Sequence, residues 1–322
     1  MRRIPALLTA AIVLTSLAAC APSGPGASAG CDAPLQPGAA SETVTAEGGI
    51  GSDPETDFPS PLVTEGSQRS VLVEGDGDTL RDGDSASVVY SVYAADGTPL
   101  GSTGYEGDTL SFRDAGDSNS IDESIVCSAE GSRIALTTTA AEAFGEGVLS
   151  QSGVQDDATI VFVIDVVDRY LGKADGLNQL PEAGLPSVVT APDGQPGITL
   201  PTPTPPDGEL HAAVIKAGGG QAVAEGDQIV VKYTGWVWEQ DPTSFDSAWE
   251  RGVPTAFDLV ASDGETQGGL ISGFVKGLDG QKVGSQVLLV VPPEEGYGDS
   301  QAGSIAPGST LVFVVDILGV VR

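Results

Sequence analysis

Thr310-Leu311-Val312-Phe313-Val314-Val315-Asp316 reads as a buried β-strand: a short apolar run, rich in β-branched residues and without helical spacing. The run stands earlier in the chain as Thr159-Ile160-Val161-Phe162-Val163-Ile164-Asp165. Other signals repeat in the same order. Gly83-Asp84 leads to Tyr90 as Gly226-Asp227 leads to Tyr233, and Phe144-Gly145 matches Tyr297-Gly298. The lead-ins agree as well: Phe58-Pro59-Ser60-Pro61-Leu62-Val63-Thr64 resembles Leu185-Pro186-Ser187-Val188-Val189-Thr190. Signals kept in the same order along the chain mean two copies of one β-rich unit. Further strands are expected at residues 70–73, 87–93, 212–215, 228–233 and 286–291.

The composition agrees with β-rich modules. The 322 residues hold 44 Gly and 22 Pro, a load that signals many turns. Aromatic residues make up only 5%, while 40% are hydrophobic, enough to exclude a chain disordered throughout. Fourteen Lys+Arg face 45 Asp+Glu, for a formal net charge of −31. So acidic a chain is a poor nucleic-acid binder, because phosphate neutralisation takes clustered Lys and Arg.

Met1-Arg2-Arg3 precedes an apolar run from Ile4 to Ala19. This is the form of a secretion signal, too short for a comfortable transmembrane helix. The run ends in Leu17-Ala18-Ala19-Cys20, which resembles a bacterial lipobox. The expectation is a signal peptide over 1–19, a lipid on Cys20, and a protein anchored on the outer side of the bacterial cell membrane. The alternative is cleavage elsewhere and an ordinary Cys20. Residues 20–57 read as a flexible tether. Cys31 and Cys127 remain, and in an oxidising compartment one disulfide between them is expected, the alternative being two reduced thiols. One His and two such thiols cannot build a standard zinc site, so neither metal nor cofactor is expected. Residues 171–207 are Pro/Gly-rich again and read as an extended linker.

In the second copy seven motifs stand in register. They are Val230-Val231-Lys232-Tyr233-Thr234-Gly235, Phe245-Asp246-Ser247, Gly273-Phe274-Val275-Lys276-Gly277-Leu278, Val283-Gly284-Ser285, Gly296-Tyr297-Gly298, Ile305-Ala306-Pro307 and Leu311-Val312-Phe313. Their order and spacing over 208–322 resemble FKBP-type peptidyl-prolyl cis-trans isomerases. The resemblance implies an α+β fold: two FKBP-like domains, 58–170 and 208–322, each an antiparallel sheet wrapped around a short helix. In the second the helix is expected near residues 274–281.

The resemblance also implies a site. Tyr233, Phe245, Phe274 and Phe313 would wall a proline pocket, with Leu270 and Ile271 beside the ring. The Ile271 N–H, the Tyr297 hydroxyl and Asp246 would act on the substrate, and Arg251 would hold Asp246 and Tyr233. The substrates would be proline-containing unfolded or partly folded polypeptides, and a macrolide inhibitor is a further expected ligand. There are departures. Phe274 stands where the family usually has Trp. Thr255 stands where a further aromatic is usual, which would open one wall. Glu294-Glu295 read as solvated loop charge, and the sole histidine, His211, as a solvated side chain.

The first copy keeps Tyr90 and Phe162 but has Leu100-Gly101 in place of Phe-Asp, Ile121 near the floor position and Phe144 at the rim. It reads as a degenerate copy that binds or positions chains, the alternative being a shallow cleft with residual activity. The function expected is prolyl isomerisation by the second copy, assisting the folding of secreted or envelope proteins. The rivals are a non-catalytic peptide-binding or chaperone lipoprotein and a structural spacer.

Overall fold

The computed structural model describes residues 31–103, 105, 111–116, 119–150, 153–262 and 269–321. The expected signal peptide over 1–19 and the lipid site Cys20 lie outside them.

The β-branched runs pair as two antiparallel sheets. The first uses β1 (Gln68–Val73), β2 (Ser85–Ala94), β3 (Pro99–Ser102), β4 (Ser111–Asp114), α1 (Ser120–Ile125), β5 (Arg133–Thr139), α2 (Ala140–Phe144) and β6 (Thr159–Tyr170). Its strand order is β1-β5-β6-β2-β3, with β4 also on β2. Asn119 starts α1 by accepting the N–H groups of Ile121 and Asp122. Ile121 and Ile125 then pack on Ile134, Leu136, Ile160, Phe162 and Ile164 to form the first core.

The second sheet uses β7 (His211–Ala217), β8 (Gln228–Val237), β9 (Ser244–Ser247), α3 (Ala248–Arg251), β10 (Thr255–Asp258), α4 (Ser272–Leu278), β11 (Gln286–Val291) and β12 (Leu311–Val320). Its order is β7-β11-β12-β8-β9, with β10 also on β8. The first sheet's order therefore recurs, and in both sheets the last strand in sequence lies in the middle. The helix expected near 274–281 begins earlier and stops at Leu278, because Asp279 and Gly280 form a turn with Gly280 at φ 77°. Gly273 and Gly277 let α4 lie close on β11. A Cβ at either would come within 2.5 Å of Val291 or Leu289.

Two segments read from composition as loose are packed. Of the 20–57 segment, the described residues from Cys31 onward lie on the first sheet. The structure joins Cys31 to Cys127 by a disulfide with Cα atoms 5.7 Å apart. Ala40 and Val44 pack with Leu62, Ala135, Val161 and Val163 on the face away from α1. Thr45–Glu47 and Glu55–Asp57 form a strand pair. The turn between them is held by buried Arg133, whose guanidinium donates to the carbonyls of Gly48 and Gly49.

The 171–207 segment likewise covers the outer face of the second sheet instead of crossing solvent. Ser187–Thr190 pairs with Pro196–Thr199, and Leu177–Asn178 extends the sheet beyond β7. Leu185, Val188, Ile198 and Leu200 pack against Trp236, Trp238, Leu288, Val290, Val312 and Val314. The indole N–H of Trp238 donates to the carbonyl of Thr202 at 3.1 Å. The physical reason is the face itself: two tryptophans and four aliphatic side chains would otherwise meet water. Each lead-in is also tied to a buried carboxylate of the central strand. Gly51 N–H donates to Asp165 Oδ2 at 2.7 Å and Ala174 N–H to Asp316 Oδ2 at 2.8 Å.

The two sheets touch. Tyr170, at the end of β6, packs against Val230 and Leu318. Lys232 of β8 places its ammonium 2.8 Å from Asp114 of β4. Among the described residues no helix is long and apolar enough to cross a membrane.

Candidate functional site

The site grows from one glycine. Sheet register pairs Gly235 of β8 with Asp246 on one side and with Phe313 on the other. A Cβ at Gly235 would fall 2.6 Å from Phe245 Cζ and 2.8 Å from Phe313 Cε1. The missing side chain is what lets those two rings meet, with centroids 5.7 Å apart at 88°. Phe313 meets Phe274 of α4 edge to face at 5.5 Å, and Phe274 meets Tyr233 at 6.2 Å. Such edge-to-face contacts match the positive rim of one ring to the negative face of the next. The rings line one side of a cavity of about 620 Å³. Leu270 and Ile271 line another, and Asp246 and Tyr297 reach it as well.

The polar end is a connected set. Tyr233 donates its hydroxyl proton to Asp246 Oδ2, and Arg251 Nη1 donates to Asp246 Oδ1. Arg251 Nη2 also donates to the Tyr233 hydroxyl at 3.4 Å and to Thr255 Oγ1 at 3.2 Å. The guanidinium stands 5.6 Å over the Tyr233 ring. The short helix α3, capped by the Ser247 side chain, returns Arg251 to the aspartate five residues before it. Burial, with the Asp246 hydrogen bond adding to it, pushes the Tyr233 phenol up to about 12. Burial and the Asp246 charge raise Tyr297 too. Both phenols thus keep their protons through neutral pH. Tyr297 is 40% exposed at the rim of the cavity.

All nine residues expected in the pocket are brought together. Three others were missed. Phe257 lines the cavity, with its ring 5.6 Å from Tyr233 and 6.0 Å from Phe274. It stands two residues from Thr255 on β10, and strand alternation puts both on one face. The wall that Thr255 would open is therefore partly closed by Phe257. Gly235 closes the motif Val230–Gly235, and only strand pairing gives it its place between Phe245 and Phe313. Glu295 is not solvated loop charge: it accepts from Ser272 Oγ and from Lys276 Nζ at 2.6 Å. Those partners hold its carboxyl below the ordinary glutamate range. The pairing ties the turn before Tyr297 to α4. His211 is not free either, since its Nε2 lies 2.8 Å from Asp207 Oδ1.

The first copy has the same register with different occupants. Val92 pairs with Gly101 and with Phe162, as Gly235 pairs with Asp246 and Phe313. A valine therefore fills the place that glycine leaves open. No carboxylate stands at Gly101, and Arg113 approaches Tyr90 instead, with its guanidinium 5.8 Å over the ring. Phe144 leans on Phe162 at 5.8 Å.

The family match falls on the second copy. The family model described as FKBP-type peptidyl-prolyl cis-trans isomerase matches residues 219–318. A protein named "FK506-binding protein" from Streptomyces anulatus is 37% identical over 128 residues, covering 39% of this chain and 97% of that protein. "Probable FK506-binding protein" from Corynebacterium glutamicum is 36% identical over 124 residues, covering 38% of this chain and 97% of that protein. "FKBP-type peptidyl-prolyl cis-trans isomerase FkpA" from Escherichia coli strain K12 is 39% identical over 107 residues, which are 33% of this chain and 36% of FkpA.

Proposed function

We propose that this chain, which belongs to the FKBP-type peptidyl-prolyl cis-trans isomerase family, isomerises X-Pro bonds with residues 208–322 and does so outside the cell membrane. The observation that carries the reading is the aromatic cavity closed at its polar end by Tyr233, Asp246 and Arg251. Its clients are proline-containing segments of secreted or envelope proteins that are still unfolded or partly folded. A macrolide inhibitor would occupy the same cavity.

The chemistry asks for little beyond such a cavity. Rotation about a peptide bond faces a barrier of about 18–20 kcal/mol. X-Pro bonds exchange in about 10–100 s without help. No nucleophile is needed. In the twisted amide the nitrogen has lost resonance, and the carbonyl carries less charge. An apolar wall that accepts the proline ring favours this form over the planar, more polar ground state. Phe245, Phe274, Phe313 and Phe257 supply the wall. The Ile271 N–H and the Tyr297 hydroxyl hold carbonyl groups of the bound chain. A ~10⁶-fold acceleration would need roughly 8 kcal/mol of such differential binding. The first copy, with Val92 in place of the glycine and no carboxylate at Gly101, binds or positions chains without catalysing their rotation.

A protease-coupled assay on a proline tetrapeptide tests the activity in the full chain. The expected result is a rate well above the uncatalysed exchange; equality with that exchange sinks the enzyme reading. The anchor is tested separately. Labelled palmitate should enter the wild-type chain in a bacterial host and not the Cys20→Ser variant, and equal labelling of both would remove the lipid from the proposal.

A further inference from the structure

Successive residues of a strand face opposite ways. On β8 Tyr233 faces the cavity, and Lys232 faces away from it, toward the first sheet. Lys232 is buried, and its ammonium lies 2.8 Å from Asp114 Oδ2. The same ammonium stands 5.1 Å over the ring of Trp249. The other carboxylate oxygen of Asp114 accepts from Ser85 Oγ, which fixes Asp114 to its own sheet. Asp114 is thus a rigid point on the first copy that reaches a residue next to the cavity wall of the second.

Trp249 carries the connection further. It sits on α3, between Asp246 and Arg251 in sequence. Its Nε1 is buried without a hydrogen-bond partner, so packing and the lysine hold the ring in place. The far edge of the ring lies against Gly194, where a Cβ would collide with it. Gly194 belongs to the turn between Ser187–Thr190 and Pro196–Thr199, a turn closed by its own N–H on the Ala191 carbonyl. Helix α3, which carries Arg251 to Asp246 of β9, is therefore backed by groups from outside residues 208–322.

We propose that Asp114 is a positioning residue for the isomerase site. Through Lys232 and Trp249 the first sheet sets the place of α3, and with it the geometry of Asp246, Arg251 and Tyr233. The inference rests on the isomerase reading of the cavity. It gives the first copy a part in catalysis that needs no pocket of its own. A lysine held between a carboxylate and an indole is a directional contact, strongest in one geometry. Loss of the carboxylate frees the ammonium to leave the ring, and α3 then loses its backing on that side.

The test uses the full chain as wild type and as Asp114→Asn, Asp114→Ala and Asp114→Glu. Steady-state isomerisation and thermal unfolding are measured on each. The Asn and Ala variants are expected to lose about three- to tenfold in kcat with KM little changed, and Glu to restore most of it. A lower melting temperature with kcat intact would make the pair merely structural and overturn the inference. Equal kcat in all four proteins would overturn it as well. A wild-type chain without activity removes the isomerase reading and this inference together.

Discussion

Arg133→Ala is expected to lower the stability of the first sheet by about 3–5 kcal/mol, the usual loss when one member of a buried ion pair is removed. Arg133 and Asp165 both have 0% of their side chains exposed, with Nε to Oδ1 at 2.6 Å and Nη2 to Oδ2 at 2.8 Å. The guanidinium also satisfies the carbonyls of Gly48 and Gly49. Alanine would leave Asp165 with a buried charge and, among the described residues, the Gly51 N–H as the remaining hydrogen-bond donor to it. The strand pair at residues 45–57 would lose its hold at the same time. Urea unfolding followed by far-UV circular dichroism reads the effect. The double variant Arg133→Met with Asp165→Leu removes both charges and should lose far less, since a buried pair often does no better than apolar groups of its size. Equal losses in the single and double variants would show that the pairing is not what matters. The second sheet has Gln286 and Asp316 at the equivalent places, joined by one amide hydrogen bond of 2.8 Å.

Asp246→Ala is expected to lower kcat/KM by about 10- to 100-fold, less than the roughly 10²- to 10³-fold loss of an oxyanion-hole donor, because amide rotation develops no full negative charge. The aspartate accepts from both Tyr233 and Arg251, so its removal frees two side chains of the polar end at once. The Asp246 and Arg251 side chains are partly exposed, and an ion pair so placed contributes little to folding. The melting temperature should therefore hardly move while activity falls. Asp246→Asn keeps an oxygen for the Tyr233 hydroxyl and should lie between alanine and wild type. Activity within twofold of wild type for Asp246→Ala would remove the carboxylate from the mechanism.

Strands and repeat were legible because they depend on local pattern. The runs ending in Asp165 and Asp316 are too β-branched and too evenly apolar for anything but a central strand. The aromatic set was legible only through seven weak motifs in register, a resemblance that no single ring would support. What stayed hidden depends on register and on surfaces far away in sequence. Gly235 looks like any strand glycine until pairing sets it between Phe245 and Phe313. Val92 looks like ordinary core until the same pairing shows it in the glycine's place. Leu185, Val188, Ile198 and Leu200 are scattered among prolines and glycines, and nothing local says that Trp236 and Trp238 wait to be covered. Glu295 sits in a turn beside another glutamate, and only the fold brings Ser272 and Lys276 to it.

The position of the last strand has a consequence for how the chain acquires its shape. In each sheet the final strand separates the β5 or β11 side from the β2 or β8 side, and neither side bonds to the other without it. A chain emerging from the ribosome or from a narrow channel can form local hairpins from its earlier strands. It cannot close either sheet until residues 159–170, or 311–320, have arrived. Each half then forms in one late step that joins segments far apart in sequence, a topology that folds in about milliseconds to seconds. Until that step the inner faces of all the earlier strands are open to water and to other chains.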